Sequence, residues 1–95
     1  KTFTLDSLNL KSDFIKLDVE NHELEVLKGG KQHLKKNKPV ILLENNKKIR
    51  KVSLFLKSIN YSPYRISKNS FAKNNSLVGD DIFFFHRSRK INKMI

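Results

Sequence analysis

Three charged side chains lie two residues apart within Phe14 to Leu27, a stretch in which an apolar segment runs into a helical pattern. They are Lys16, Asp18 and Glu20. Because successive side chains of a β-strand alternate between its faces, these groups should line one face near the carboxyl end of a strand. Open α/β sheets bind ligands at that edge. Asp18 and Glu20 are therefore candidates for a general base, and His22 is a third.

A second chemistry becomes available if the next strand ends beside the first. Glu44 closes the apolar run Val40 to Glu44, so that Asp18, Glu20 and Glu44 would offer the oxygen ligands that Mg²⁺ or Ca²⁺ prefers. The alternative is structural, with an ion pair to Lys16 and a carboxylate at the start of a helix. For the histidines, which show no ligand spacing, the sequence favours a surface or capping role: His22, His33 and His86.

A strand, a helix and a second strand must position these groups. Phe14 to Val19 predicts the first strand, and Asn21 is a suitable N-cap for a helix that starts at about His22. Gly29 and Gly30 are expected inside this helix, which ends near Asn37 because a proline follows. Since the second strand is apolar throughout, the two strands are expected to be parallel neighbours in a βαβ unit.

The second half of the chain continues in the same manner. An amphipathic helix is predicted over Lys47 to Asn60, and a strand over Tyr61 to Ser67. The polar segment Lys68 to Gly79 predicts a mobile loop, and Asp80 to His86 predicts a central last strand. Arg87 to Ile95 is expected to be a basic, fraying tail.

Composition narrows the classes of protein. The chain has no cysteine, which excludes disulfides and thiolate metal sites. Its apolar runs are far shorter than the roughly 20 residues of a membrane span, so that a soluble, cytoplasmic protein is expected. The net charge of +11 is uneven, since residues 47–95 carry twelve Lys and Arg against two acids. A basic half can indicate nucleic acid or anionic membrane, although abundant Lys and Asn throughout favour a compositional bias.

Two stretches resemble one known family. TLDSL and DFIKLDVENHELEVLKGGKQHLKKNKPVILLE are similar to the FkbM-type methyltransferases, strongly over residues 2–46 and in element order over 47–86. The residues that match this pattern are Thr4, Leu5, Asp6, Lys16, Asp18, Glu20, Glu23, Leu27, Lys28, Gly29, Pro39 and Glu44. Asn21 departs from it, because the family usually has glycine there; asparagine tolerates a left-handed backbone better than most residues.

The resemblance implies part of a Rossmann-like class I methyltransferase fold. The expected order is β-α-β-α-β-β, with the first strands parallel and the last strand antiparallel, as the fourth to seventh strands of a seven-stranded sheet. It also implies S-adenosylmethionine as cofactor, but no glycine-rich loop follows a first strand here. Residues 1–95 are therefore expected to be the carboxyl-terminal part of one domain, with residues 1–13 as lead-in, 14–86 as sheet and helices and 87–95 as tail.

Three functions are compatible with the sequence. The first is a fragment of an S-adenosylmethionine-dependent O-methyltransferase, inactive alone, whose acceptor bears a hydroxyl and is a saccharide or secondary metabolite by resemblance. The second is a basic nucleic-acid-binding module. Against it, consecutive Phe83, Phe84 and Phe85 cannot form one stacking face, so that nucleic acid is not the expected partner. The third is a non-catalytic interaction domain. Asp18, Glu20 and His22 are the catalytic candidates, and the oligomeric state stays open.

Overall fold

The chain folds into a five-stranded mixed sheet with helices packed against it, as seen in a computed structural model that describes residues 14–19, 22–68 and 70–89. The strands are β1 (Phe14–Leu17), β2 (Val40–Glu44), β3 (Tyr61–Ser67), β4 (Ser70–Lys73) and β5 (Asp81–His86). The helices are α1 (Glu23–Gly29), α2 (Lys31–Asn37) and α3 (Ile49–Ser58). A mixed α/β architecture is therefore confirmed.

The strands are ordered β1-β2-β5-β3-β4 across the sheet. β1 and β2 are parallel, as the continuous apolar run of β2 predicts. β5 is antiparallel to both β2 and β3, between which it lies, and β3 is antiparallel to β4. The last long strand is thus central, in agreement with its apolar sequence.

One face of the sheet and the helices enclose the core. Alternate residues of β1, β2 and β5 contribute to it, and the helices add aliphatic side chains at helical spacing. The amphipathic pattern of α3 is confirmed by burial of Ile49, Val52, Leu56 and the following Ile59. The core cluster consists of Leu17, Leu27, Leu34, Ile41, Leu43, Ile49, Val52, Leu56, Ile59, Tyr61, Ile82 and Phe84.

The crossover between β1 and β2 is not the single helix that the sequence predicts. α1 ends at Gly29, and the N–H of Gly30 donates to the carbonyl oxygens of both Val26 and Leu27, each at 3.1 Å. Two successive glycines weaken helix continuation, each by roughly 1 kcal/mol relative to alanine, and the helix is interrupted at Gly30. α2 then ends at Asn37 as predicted, because Lys38 adopts a left-handed φ of 52° before the proline.

The prediction of a mobile loop over residues 68–79 is wrong for its first part. β4 forms a hairpin with β3, in which Ile66 pairs with Phe71. The Phe71 ring lies 5.1 Å from that of Phe83 and 4.9 Å from that of Phe85, measured between centroids. These aromatic contacts are made across the sheet and cannot be read from the polar local sequence. Long-range packing therefore orders this segment.

Some predictions fall where the structure gives no description. The lead-in, the N-cap at Asn21 and the end of the basic tail lie outside the described residues. Elsewhere β3 has the predicted bounds, and its Pro63 stands near the strand start, before the first residue paired with β4. Within the described residues, no helix is both long enough and apolar enough to cross a membrane, the longest being the ten residues of α3.

Candidate functional site

The carboxyl ends of β1 and β2 lie side by side. Leu17 pairs with Leu43 in a parallel register, so that one step further along the chain Asp18 stands beside Glu44. Asp18 directly follows β1, Glu44 is the last residue of β2, and both side chains are exposed. The shared edge thus presents two of the three carboxylates that the sequence singles out to solvent.

The amino end of β5 adds a carboxylate to this edge. Glu44 pairs with Asp81 in the antiparallel register of β2 and β5, and Asp80 precedes it. With neighbouring strands about 4.8 Å apart, Asp18, Glu44 and Asp81 form a row roughly 10 Å long across three strands. The sequence alone does not place Asp81 in this row, because only the strand order shows that β5 starts where β1 and β2 end.

A buried carboxylate lies behind this edge. Glu23 begins α1 and is only 3% exposed, and its Oε1 accepts a hydrogen bond of 3.3 Å from Nδ2 of Asn46. Asn46 follows β2, and its Oδ1 accepts from the N–H of Lys48 at 2.9 Å. The helix N-terminus also favours a negative charge at Glu23. From the sequence, Glu23 is only one of the residues that match the family pattern, whereas the structure joins it to Asn46 at the end of β2.

Of the other two predicted catalytic residues, the structure describes His22 but not Glu20. Glu20 lies outside the described residues, together with Asn21. His22 is exposed at the N-cap of α1, where its side chain makes no capping hydrogen bond and its N–H donates to the carbonyl oxygen of Val19 at 3.1 Å. His22 is therefore near the end of β1, as its place in the sequence requires.

The predicted metal set is only partly described. Among the described residues, no three His, Asp or Glu side chains form a group that could hold a metal ion. Asp18 and Glu44 are neighbours at the sheet edge, and the third predicted ligand, Glu20, is not among these residues. A divalent cation therefore stays a prediction.

A turn beside the row of Asp18, Glu44 and Asp81 is held by asparagine side chains. Nδ2 of Asn45 donates to the carbonyl oxygens of Leu77, at 2.9 Å, and Gly79, at 2.8 Å. Asn74 is buried, and its side chain both donates to the carbonyl oxygen and accepts from the N–H of Val78. The second part of the predicted loop is thus ordered by side-chain hydrogen bonds, in a manner that Asn-rich sequences allow.

This turn borders an open groove of about 350 Å³. Its walls combine two carboxylates, one guanidinium and apolar side chains, together with the backbone of the turn. The residues that line it are Arg65, Ile66, Val78, Gly79, Asp80, Asp81 and Phe83. The groove therefore continues from the carboxylate row, through Asp81, toward β3.

A second polar cluster lies at the opposite end of β5. His86 is buried, which corrects its expected surface role, and its ring meets that of Tyr61 edge-on at 5.4 Å. The hydroxyl of Tyr61 donates to the carbonyl oxygen of Pro39 at 2.7 Å. Burial raises the pKa of Tyr61 well above its ordinary value, although the positive charge of Arg89 acts to lower it. This cluster joins the starts of β2 and β3 and is distant from the acidic edge.

The protonation of His86 follows from its surroundings. Burial lowers the pKa of His86, and the positive charges of Lys38, Arg87 and Arg89 lower it further. Its Nδ1 accepts a hydrogen bond of 3.1 Å from the N–H of Ser88, which suits a neutral ring. His33 is also buried, contrary to the expected surface role, and its Nδ1 lies 3.2 Å from Nδ2 of Asn37. Both histidines therefore act in packing.

Comparison with known proteins identifies the family. The family model described as "Methyltransferase FkbM domain" matches residues 1–76. No curated protein and no solved structure matches the chain. The family match extends through β1, β2, α3 and β3, and so includes the acidic ends of the two parallel strands. Because the match covers well over half of the 95 residues, the chain belongs to the FkbM methyltransferase domain family.

Proposed function

We propose that this chain supplies the acceptor side of an S-adenosylmethionine-dependent O-methyltransferase domain. The observation that carries the proposal is the carboxylate row at one sheet edge, in which Asp18 stands beside Glu44 and Glu44 pairs with Asp81. The family match makes methyl transfer the relevant chemistry. In Rossmann-like sheets the reaction takes place at this edge. We assign β1, β2, β3 and β5, in this order, to the fourth, fifth, sixth and seventh strands of such a sheet.

The proposed role of the carboxylates is to accept the proton of the acceptor hydroxyl. A hydroxyl oxygen becomes a better nucleophile when a base accepts its proton, and an exposed carboxylate can approach a hydroxyl without rearrangement. Asp18 is the described residue that best fits this role, with Glu20 and His22 as neighbours along the chain. Glu44 then orients the acceptor through a hydrogen bond, or joins Asp18 and Glu20 in holding a divalent cation.

The acceptor is a hydroxyl-bearing molecule. Support comes from the groove of about 350 Å³, in which Asp80 and Asp81 can accept hydrogen bonds from hydroxyl groups and Phe83 offers an apolar wall. Saccharides present this combination of hydroxyls and apolar C–H faces, and some secondary metabolites do as well. The resemblance to FkbM-type enzymes points to the same classes of acceptor.

The cofactor does not fit the residues of this chain. A phosphate- or nucleoside-binding loop in such sheets needs glycines between a strand and a helix. The three glycines of the sequence lie elsewhere: Gly29 and Gly30 where α1 meets α2, and Gly79 in the turn before β5. We therefore propose that S-adenosylmethionine is bound by a further part of the domain, and that the 95 residues alone do not methylate.

Isothermal titration and NMR test these two parts separately. Titration of S-adenosylmethionine into the 95-residue chain should give no heat of binding, and micromolar affinity would contradict the division of the site. Titration of simple methyl glycosides into ¹⁵N-labelled chain should move amide signals at residues 18–19, 44–46 and 79–81. If the Asp18→Asn and Asp81→Asn variants showed the same amide shifts on titration as the wild-type chain, the proposed acceptor site would be contradicted.

In a longer form of the domain that methylates an acceptor, the base can be tested directly. Asp18→Asn should lower kcat by about 10²- to 10⁴-fold, since the variant retains the shape but cannot take a proton. Glu25→Gln is the matched control, because Glu25 is exposed on α1 and belongs neither to the carboxylate row nor to the lining of the groove. An Asp18→Asn enzyme with unchanged kcat would assign the proton transfer to another group.

A further inference from the structure

The outer side of α3 combines cations with one exposed leucine. Arg50, Leu54 and Lys57 are spaced four and three residues apart, and Lys51 stands three residues before Leu54, so that all four lie on one side of the helix. All four are exposed, and Leu54 retains 68% of its accessible surface. α3 contains no acidic residue. Its outer side is thus cationic around a protruding aliphatic side chain.

Two of these cations, Arg50 and Lys51, lie in the first turn of α3, where a positive charge does not stabilise the helix. The N-terminus of a helix carries a partial positive charge, and acidic side chains are favourable there. The first turn of α3 has none, and it carries Arg50 and Lys51 instead. Helix stability therefore does not account for these two side chains, and a local rule broken in this manner often marks a functional surface.

α1 extends the same surface. An open groove of about 420 Å³ lies between α1 and α3, with an apolar floor and a lysine on each side. Leu24 and Lys28 of α1 line it together with Lys51, Leu54 and Phe55 of α3. Among the residues that the structure describes, no carboxylate lines this groove. We use the name α3 surface for Lys28, Arg50, Lys51, Leu54 and Lys57.

We propose that the α3 surface docks the protein on a lipid bilayer that contains anionic headgroups. Charge complementarity supports this partner, since each lysine or arginine near such a bilayer raises the partition coefficient about fivefold. Leu54 favours lipid over nucleic acid, because a phosphate backbone offers no partner to an aliphatic side chain. A soft interface accepts a protruding leucine while the ammonium groups stay among the headgroups, whereas a folded acidic protein would need a matching cavity.

Co-sedimentation with vesicles tests the proposal on the 95-residue chain. The wild-type chain should bind vesicles of phosphatidylcholine with phosphatidylserine and should not bind phosphatidylcholine alone. Binding should weaken strongly when the ionic strength rises from ~0.05 to ~0.5 M. Arg50→Gln with Lys51→Gln should lower the partition coefficient about 25-fold. Leu54→Ser should lower it about tenfold, because the apolar contact is lost.

The matched control is Lys35→Gln with Lys36→Gln, which removes two exposed cations from α2 and leaves the α3 surface intact. It should bind nearly as well as the wild type. An equal loss in both double variants would show attraction to net charge alone and would overturn the proposal. So would wild-type affinity in Leu54→Ser, or tighter binding to duplex DNA than to the anionic vesicles.

A second readout separates docking from folding. Because Arg50 and Lys51 oppose the helix dipole, their replacement by glutamine should leave the melting temperature unchanged or raise it. Loss of vesicle binding together with retained stability supports the α3 surface. A fall in melting temperature would show that these cations support the fold, and it would overturn the argument from their placement.

Discussion

The hydrogen bond between Tyr61 and Pro39 gives a prediction whose sign changes with pH. The Tyr61 hydroxyl donates to the Pro39 carbonyl oxygen at 2.7 Å, and the side chain is only 1% exposed. Tyr61→Phe removes this donor and leaves a buried acceptor without it. We expect the variant to lose about 1.5 kcal/mol of unfolding free energy at neutral pH. For a domain of this size, that lowers the melting temperature by about 6–12 °C.

Ionisation reverses the difference at high pH. Burial raises the pKa of Tyr61 in the folded chain, so that the folded state keeps the proton after the unfolded chain has lost it. The stability from the protonated phenol is complete below the ordinary pKa of 10.0 and is lost as the pH rises above it. This loss reaches about 1.4 kcal/mol at about pH 11, which equals the advantage of the hydrogen bond. The stabilities of wild type and Tyr61→Phe should therefore cross near that pH.

Urea unfolding followed by far-ultraviolet circular dichroism measures both effects. Lysine titration changes both proteins alike and cancels in the difference between them. Tyr64→Phe is the matched control, since it removes a phenol from the same strand and keeps the bond to Pro39. Wild-type and Tyr61→Phe stabilities that stay parallel from neutral pH to about pH 11 would refute the link between burial and ionisation.

Other perturbations have distinct signatures. The depressed pKa of His86, caused by burial and then by three nearby cations, means that stability is lost as pH falls below the ordinary value of 6.5; His86→Gln should flatten this part of a urea-unfolding pH profile. Leu56→Ala should cost about 2–5 kcal/mol of unfolding free energy, because Leu56 is 0% exposed. Leu54→Ala, on the same helix, should stay within about 0.5 kcal/mol. Asn45→Ala should speed hydrogen exchange of the Leu77 amide and leave exchange in β3 unchanged, because it removes the two hydrogen bonds that hold this turn. Unchanged exchange at Leu77 would contradict this role.

Periodicity and strand composition predicted most of the regular elements. The apolar run of β2 indicated a parallel strand, and the spacing of Ile49, Val52 and Leu56 identified the buried side of α3. The alternation in Phe14 to Val19 predicted β1, which ends two residues earlier, at Leu17. Each signal is local, because burial of one face acts on neighbours in the sequence. The position of Asp18 at a sheet edge followed from the same local pattern.

Features that depend on distant contacts could not be predicted in this manner. β4 lies in a mostly polar segment and is ordered by contacts of its Phe71 with Phe83 and Phe85, which lie more than ten residues later. The position of Asp81 in the carboxylate row depends on the strand order. Burial of Glu23 depends on an amide from the end of β2. In each case the deciding partner comes from another element, so that a window along the chain contains too little information.

The place of β5 between β2 and β3 has a consequence for how this chain folds. Phe84 pairs with Ile41 on one side and with Pro63 on the other, so that one buried residue joins segments more than forty and more than twenty positions earlier. Before β5 is in place, β2 and β3 cannot be joined into one sheet, because they share no backbone hydrogen bonds. Closure of such distant pairings is slow. On the ribosome, the sheet can close only after β5 has left the exit tunnel, and the earlier strand edges stay open until then.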